Sequence, residues 1–348
     1  MIEYARLTWP EVDALDRNLP LYLPLGPADC PEDGVVLPSV PYGFPGSGLE
    51  VPGWRAYVDN LVGGLREDGF RNVHVLSAPC EVEMEPEPVL LLPVGHTEQH
   101  GYHLSMAVDT ILIDAVAEGV VRRMPGQAAR LPVMPYGVST HRPCFRGTLN
   151  AGGRAFEDFY LQVLEELYRR GARRFYLLSG HGGNCSFMVT VVKYFGERHP
   201  DAFCATSFLY LSGPSGVEAL ERHRTSPRGG MGHGGELETS LMLHLAPEQV
   251  FMDRVVDELD FVSTESYFME WIEGGALVAN PSWYDDTVSG AYGAGSHATA
   301  EKGRLWLEAA VEEKAGHVLE IAEQHRRRLE RQREGFGRWK FRSGDHRV

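Results

Sequence analysis

Apolar runs of strand length alternate with segments of helical period through the middle of this 348-residue chain. The periodicity predicts strands over 88–94, 130–136, 174–178 and 202–211, and helices over 110–124, 156–170, 186–198 and 304–328. Strands that alternate with helices favour a parallel sheet, because each helix carries the chain back to the starting edge. We therefore predict an α/β layered sandwich with a largely parallel central sheet flanked by helices.

Composition limits the classes of protein to which this chain can belong. Hydrophobic residues make up 43% of the chain and charged residues 23%, so a core can form and global disorder is excluded. The formal net charge of −15 argues against nucleic acid or a membrane surface as a partner. The longest apolar runs are too short to cross a bilayer, and no signal peptide is evident. Five scattered cysteines without a C-x-x-C pair complete a pattern that favours the cytoplasm.

Three regions differ in their sequence character. We predict a front segment over 1–88, a core over 89–325 and a basic tail over 326–348, which holds nine Lys/Arg against three Asp/Glu. Short sequence motifs of the front segment recur in the same order in the core: 36–43 resembles 131–137, and 69–77 resembles 171–179. Independent convergence of similar αβ units on similar short motifs would explain the matches as well. We favour a shortened, degenerate repeat without catalytic function, because the front copy lacks the His and acidic residues of the core.

The densest polar cluster follows the first core strand, over 95–104, with Asp109 at the start of the next helix. Glu98 and His100 leave the end of a buried strand two residues apart, so both side chains can turn toward one point. A carboxylate such as Asp109 can bridge two cations through its two oxygens. Nitrogen and oxygen ligands of this kind suit Zn²⁺, Mn²⁺ or Fe²⁺. The simpler interpretation is a solvated loop with capping residues, which three histidines and two carboxylates in so short a segment make less attractive.

Two further clusters carry histidines between glycines. His181 lies at a predicted strand-to-helix turn, in 179–184, where flanking glycines leave its ring open to a metal. His233 precedes a helix, with Glu236 three residues later and Glu238 beyond it. His233 and Glu236 would share a face if that helix begins early. Both glutamates have an alternative role, since acidic residues in a first turn stabilise the helix dipole.

Together these clusters resemble the creatininase (creatinine amidohydrolase) family. The matching words are LPVGHTEQHGYHL at 92–104, GHGGN at 180–184 and HGGELETS at 233–240, and supporting matches extend the resemblance over about two thirds of the chain. The resemblance implies a creatininase-like α/β core, a homo-oligomer and two divalent metal ions per chain (Zn, Mn or Fe). It also implies a catalytic proton-transfer residue, His233, and the metal ligands Glu98, His100, Asp109, His181 and Glu236, with Glu238 in reserve.

The sequence departs from the creatinine-opening member of that family around the substrate. Gly183 stands in place of a Glu that completes the second metal site there, and Gly229 and Gly230 replace a Trp and an Asp, so the aromatic lid is expected to be missing. His96 stands where the family usually has a small Ser. We assign as substrate-binding residues Ser139, His141, Gly183 and His96.

We therefore predict a dinuclear metal-dependent amidohydrolase that acts on non-peptide C–N bonds through metal-activated water. Its partner would be a small-molecule substrate such as a cyclic amide or a formamide. The alternatives are a metal-dependent peptidase that trims a modified peptide, and a non-catalytic metal-binding relative.

Overall fold

The structure is a computed structural model that describes residues 1–82, 87–140, 145–271 and 275–335. Its strands are β1 Ile2–Glu3, β2 Leu21–Leu25, β3 Val35–Val36, β4 Val73–Ser77, β5 Val89–Val94, β6 Ala128–Arg130, β7 Arg174–Ser179 and β8 Phe203–Thr206. Its α-helices are α1 Trp9–Asp13, α2 Trp54–Glu67, α3 Val108–Arg123, α4 Gly153–Arg169, α5 Gly182–Arg198, α6 Pro214–His223, α7 Glu236–Leu245 and α8 Ala300–Arg333.

The core sheet is parallel throughout, in the order β6-β5-β7-β8. Every residue of β5 is buried, since helices cover both faces of the sheet, and a strand in that position needs an uninterrupted apolar run. β5 and β7 are hydrogen-bonded neighbours whose last residues, Val94 and Ser179, lie side by side. The predicted α/β fold with a largely parallel sheet flanked by helices is confirmed.

Two predicted strands are shorter than the apolar runs suggested. β6 ends at Arg130, and the rest of 130–136 makes only an isolated bridge between Met134 and Val94. Pro132 and Pro135 interrupt this run, because proline has no N–H to donate to a ladder. β8 ends at Thr206, and Leu209, with a φ of 50°, has a left-handed conformation that no strand accommodates.

The front segment contains a second parallel sheet, in the order β1-β3-β2-β4. Its three strands β3-β2-β4 follow the same spatial order as β6-β5-β7 in the core. Backbone hydrogen bonds also recur at equivalent places: Gly26 N to Val40 O matches Gly95 N to Met134 O, and Val51 N to Gly43 O matches Ala151 N to Gly137 O. The degenerate repeat stays a prediction, and these shared features support it.

The two sheets share one hydrophobic core. The Tyr57 ring of α2 stacks on the Phe159 ring of α4 with centroids 4.6 Å apart, and both residues are fully buried. Tyr57 Oη also donates a hydrogen bond of 2.5 Å to the Tyr136 carbonyl oxygen. Front and core units are therefore packed as one body. Within the described residues no helix is both long and apolar enough to cross a membrane.

Candidate metal centre

The candidate site lies at the carboxyl ends of β5 and β7, the edge at which parallel sheets usually bind ligands. Two glycines bring the start of α3 against this edge. A Cβ atom on Gly180 would collide with the Asp109 carbonyl oxygen, and one on Gly95 would collide with the Thr110 backbone. Because neither glycine has a side chain, α3 begins in contact with both strand ends and presents Asp109 to the site.

One group of candidate metal ligands lies around His181. Its Nδ1 atom lies 2.9 Å from Glu98 Oε1 and 3.4 Å from Asp109 Oδ2. His181 Nε2 donates to the Val138 carbonyl oxygen at 3.0 Å, so in the neutral ring Nδ1 has the lone pair and faces the carboxylates. The cluster is buried, with Glu98 fully inaccessible to solvent and Asp109 only 1% exposed.

The second ligand group forms around His100. Its Nε2 atom lies 3.1 Å from Asp109 Oδ1 and 3.6 Å from Glu238 Oε2. Glu238 Oε2 also accepts a 2.7 Å hydrogen bond from the Gly234 amide, which fixes the carboxylate. Asp109 thus directs one oxygen to each group, an arrangement that supports its predicted bridging role.

Burial and neighbouring charges shift the pKa values of these side chains. Burial alone would lower the pKa of His100, but Asp109 and Glu238 raise it to about 10. Burial would likewise lower the pKa of His181, and Glu98 and Asp109 raise it to about 9. Burial raises the pKa of Glu238 to about 7, with His100 opposing the shift. The two histidine shifts show that the neighbouring carboxylates favour positive charge in this cluster.

The donor set fits divalent cations. Three buried carboxylates, Glu98, Asp109 and Glu238, converge with two imidazole nitrogens, and buried negative charge is costly unless a cation compensates it. Asp109 Oδ2 accepts no hydrogen bond from the residues that the structure describes. Carboxylate and imidazole ligands together suit Zn²⁺, Mn²⁺ or Fe²⁺.

Glu236, the predicted ligand of the second site, points elsewhere. Its carboxylate accepts hydrogen bonds from the backbone amides of Thr225 and Ser226, at 3.0 and 2.8 Å, and forms an ion pair with Lys302. The structure therefore places the predicted ligand Glu236 away from the cluster, and the reserve residue Glu238 lies within it. Because α7 begins at Glu236, residues 236 and 238 lie about 200° apart around the helix, and only one of them can face the cluster.

Gly183 explains why no carboxylate is supplied from that position. A Cβ atom there would collide with the Val138 carbonyl oxygen and with the His181 ring. The backbone of Val138 fills this space. The carboxylate beside His100 therefore comes from Glu238 on α7 instead. As a substrate contact, Gly183 stays a prediction.

His233 lies at the most exposed margin of the cluster, with 11% of its side chain accessible. Its Nε2 atom donates a 2.6 Å hydrogen bond to the Gln99 carbonyl oxygen, so the Nδ1 lone pair faces Glu98 Oε1 at 3.5 Å. The Gln99 side chain also donates to the Gly290 carbonyl oxygen and so holds the loop that contains Gly290 at this margin.

An aromatic ring does lie beside His233, although 229–230 carry only glycines. The ring of Trp283 meets the His233 ring edge-on, with centroids 5.0 Å apart, and is itself packed against Tyr292 at 4.6 Å. Nearby, Thr140 Oγ1 donates to Asn280 Oδ1 at 2.8 Å. The segment around 280–283 therefore crosses the margin of the site, a role for which the sequence offered no motif.

The remaining predicted substrate contacts have different positions. His96 is fully buried, with its ring stacked on His181 at 4.5 Å and Nε2 3.8 Å from Glu98 Oε2. Ser139 is buried next to the Val138 carbonyl that holds His181. His141 lies outside the described residues. The roles of these residues in substrate binding stay predictions.

Comparison with known proteins points to one family. Residues 78–318 match the creatininase family model, described as creatinine amidohydrolase, and this range contains every predicted metal ligand. A creatinine amidohydrolase from Pseudomonas putida is 35% identical over 185 residues, which cover 49% of this chain and 68% of that protein. A mycofactocin precursor peptide peptidase from Mycobacterium ulcerans (strain Agy99) is 33% identical over 179 residues, which cover 48% of this chain and 62% of that protein.

The fold is also found among solved structures. One named "Creatininase Mn" aligns with a TM-score of 0.55 and 28% sequence identity, and the alignment covers 77% of this chain and 95% of that chain. Nearly all of that smaller protein is thus represented here, and this chain carries additional residues.

Proposed function

The chain belongs to the creatininase family of amidohydrolases, and from this premise we propose that it uses two divalent metal ions to hydrolyse the C–N bond of a small amide other than creatinine. Cyclic amides and formamides are the substrate classes we favour, with Zn²⁺, Mn²⁺ or Fe²⁺ as the metal. The observation that carries the proposal is the pair of buried ligand groups that share Asp109.

The distances support two ligand sets. Glu98, Asp109 and His181 would hold one ion, and His100, Asp109 and Glu238 the other. When bound, such ions act as Lewis acids that lower the pKa of water and polarise the amide carbonyl. The protein keeps each imidazole oriented through a backbone carbonyl and excludes bulk water from the carboxylates.

His233 is the residue we assign to proton transfer. The Gln99 carbonyl holds its Nε2 proton, which leaves Nδ1 as the basic atom on the side of the cluster. Nδ1 would take a proton from the attacking water as the new C–O bond forms. It would then deliver that proton to the nitrogen as the C–N bond breaks.

The enclosure of the site favours a small substrate. The carboxylates are buried, Trp283 packs against His233, and the Thr140–Asn280 hydrogen bond spans the margin. A peptide would need an open groove long enough for several residues, whereas the Trp283 ring packs directly against His233. The glycines at 229 and 230 remove the Trp and Asp expected for creatinine, which favours a different small amide.

Peptide trimming is the second candidate, because the mycofactocin precursor peptide peptidase is one of the similar proteins. It would require the segment around 280–283 to move away from His233. A non-catalytic relative that only binds metal is the third possibility, and the orientation of His233 Nδ1 toward Glu98 argues against it.

Metal analysis and a substrate panel test the proposal together. Purified protein should contain close to two ions per chain after loading with Zn²⁺ or Mn²⁺, and it should release amine or ammonia from at least one small cyclic amide or formamide. Chelation should abolish that release, and re-addition of metal should restore it. Preferred cleavage of peptides would support the second candidate. Fewer than about one ion per chain, with metal content unchanged in Glu98→Ala, would refute the metal-dependent mechanism.

A further inference from the structure

The histidines of the site differ in which ring nitrogen carries the proton. A neutral imidazole has one N–H donor and one lone pair, and its hydrogen-bond partner decides which nitrogen is which. His100 Nδ1 faces the Glu98 carbonyl oxygen at 3.2 Å, and His181 Nε2 faces the Val138 carbonyl oxygen at 3.0 Å. A carbonyl only accepts, so in its neutral form each of these rings donates its proton to the backbone and directs a lone pair into the cluster.

His96 has the opposite arrangement. Its Nδ1 atom accepts a 2.9 Å hydrogen bond from the Gly137 backbone amide, so the ring proton must reside on Nε2. Nε2 is the atom that points toward the cluster, 3.8 Å from Glu98 Oε2. His96 therefore presents a proton where the other two rings present lone pairs.

The backbone around Gly137 enforces this arrangement. Asn184 Oδ1 accepts from the Val138 amide at 2.9 Å, and Asn184 Nδ2 donates to the Gly95 carbonyl oxygen at 3.2 Å. The Gly137 carbonyl oxygen accepts from the Ala151 amide at 2.9 Å. These hydrogen bonds hold the 137–138 peptide. The Tyr57 hydroxyl donates to the Tyr136 carbonyl oxygen and so holds the 136–137 peptide, whose N–H faces the His96 ring.

This geometry removes His96 from the set of metal ligands. Its Nε2 lies within 4.8 Å of ligand atoms of Glu98 and His181, a spacing that would suit an ion by distance alone. Coordination needs a lone pair on Nε2, which would force a proton onto Nδ1, directly facing the Gly137 N–H. Two donors cannot occupy a 2.9 Å contact.

We propose that His96 is a fixed N–H donor, and that its Nε2 proton binds the substrate carbonyl oxygen as that oxygen gains negative charge. The ring stacks on His181 and its Nε2 atom faces Glu98, so its proton lies beside the residues that would hold one metal ion and, with it, a substrate carbonyl. A preorganised donor in a buried site stabilises such charge without reorganisation. This inference rests on the proposed amide hydrolysis, and it deepens the predicted substrate contact by naming the atom and its role.

Nitrogen-15 NMR tests the ring directly, without reference to activity. Full-length protein labelled with ¹⁵N-histidine should show His96 with a protonated Nε2 and an unprotonated Nδ1, both metal-free and with zinc bound. His100 and His181 should instead shift at the nitrogen that faces the carboxylates when zinc binds. The His96→Gln variant assigns the signal. Loss of the His96 Nε2 proton on zinc binding would overturn the inference.

Metal content and kinetics test the role. His96→Leu should keep both zinc ions, whereas the control His181→Gln should lose zinc. His96→Leu should lower kcat by about 10²–10³-fold, the effect typical of losing one such donor, with KM nearly unchanged. His96→Gln can place an amide N–H near the same position and should recover at least tenfold of the lost kcat. Equal kcat values in the two variants, or loss of zinc from both, would contradict a donor role.

The outcomes separate this inference from the proposed function. If the wild-type chain hydrolyses no amide, the proposed function is wrong. The substrate carbonyl oxygen is then also wrong as the acceptor of the His96 Nε2 proton. If amides are hydrolysed but His96 coordinates zinc in the NMR experiment, only the inference fails. Thermal melts of both His96 variants establish that each is folded before its kinetics are compared.

Discussion

Glu236 and Glu238 provide a sharp test of the site, because they are near neighbours in sequence and have different surroundings. Glu238 Oε2 lies 3.6 Å from His100 Nε2 and is nearly fully buried. Glu236 contacts Lys302 and the 225–226 backbone. We expect Glu238→Gln to weaken zinc binding at one of two sites and Glu236→Gln to leave both zinc affinities unchanged.

The magnitude follows from the lost charge. A unit charge about 4 Å from another contributes about 4 kcal/mol at an effective dielectric constant near 20. Even residues that only orient a ligand change metal affinity by about 10–100-fold. Loss of the Glu238 carboxylate, which Gln replaces with a neutral group of similar shape, should therefore weaken zinc by at least about 100-fold, or about 2.8 kcal/mol.

Competition between the protein and a chromogenic chelator measures both affinities, with elemental analysis giving the ion count. Glu236→Gln should instead lower the melting temperature, because Lys302 loses its buried partner. Two tight zinc sites in Glu238→Gln, or loss of one site in Glu236→Gln, would refute the assignment of Glu238.

Three further expectations concern pH, stability and the site margin. The pKa values of His100 and His181 are raised to about 10 and 9 in the folded protein, so their protonation stabilises the metal-free form below about pH 6.5, and this contribution is lost as the pH rises through those values. Zinc replaces these protons, so its thermal stabilisation, measured by scanning calorimetry, should grow from pH 6.5 to 9; a constant or shrinking shift would count against the assignment. Glu313→Ala leaves the buried charge of Lys314 without its carboxylate partner and should lower the free energy of unfolding, measured in urea, by about 3–5 kcal/mol. The control Glu312→Ala, at an exposed residue, should change that free energy by less than about 0.5 kcal/mol. Trp283→Ala should lower kcat/KM about tenfold in steady-state assays without loss of metal; unaltered kinetics would exclude a role for this ring.

The parts of the site that depend on local spacing could be predicted from sequence. Glu98 and His100 follow β5, Asp109 lies in the first turn of α3 and His181 follows β7, so each position follows from a strand end or a helix start. Their approach to one another then follows from the pairing of adjacent parallel strands. The choice between Glu236 and Glu238 depended on the residue at which α7 begins, which periodicity does not fix.

Other features depend on contacts between distant segments. Trp283 and Asn280 lie outside every motif, and only the tertiary path of the 275–290 segment brings them to His233 and Thr140. The orientation of the His96 ring depends on a single amide at Gly137, directly after the segment 130–136 that the apolar pattern places in a strand. Strand and helix periodicity describe which face is buried, and they contain no information about such individual hydrogen bonds.

The packing of Tyr57 on Phe159 also has a consequence for synthesis of the chain. The front unit emerges first from the ribosome, and Phe159 of α4 follows Tyr57 of α2 only about 100 residues later. At a synthesis rate of about 5–20 residues per second, the apolar face of the front unit stays exposed for roughly 5–20 seconds. Truncation before α4 would make that exposure permanent, so we expect a fragment ending near residue 150 to aggregate. A shorter relative without the front unit would need another surface to cover the same side of α4.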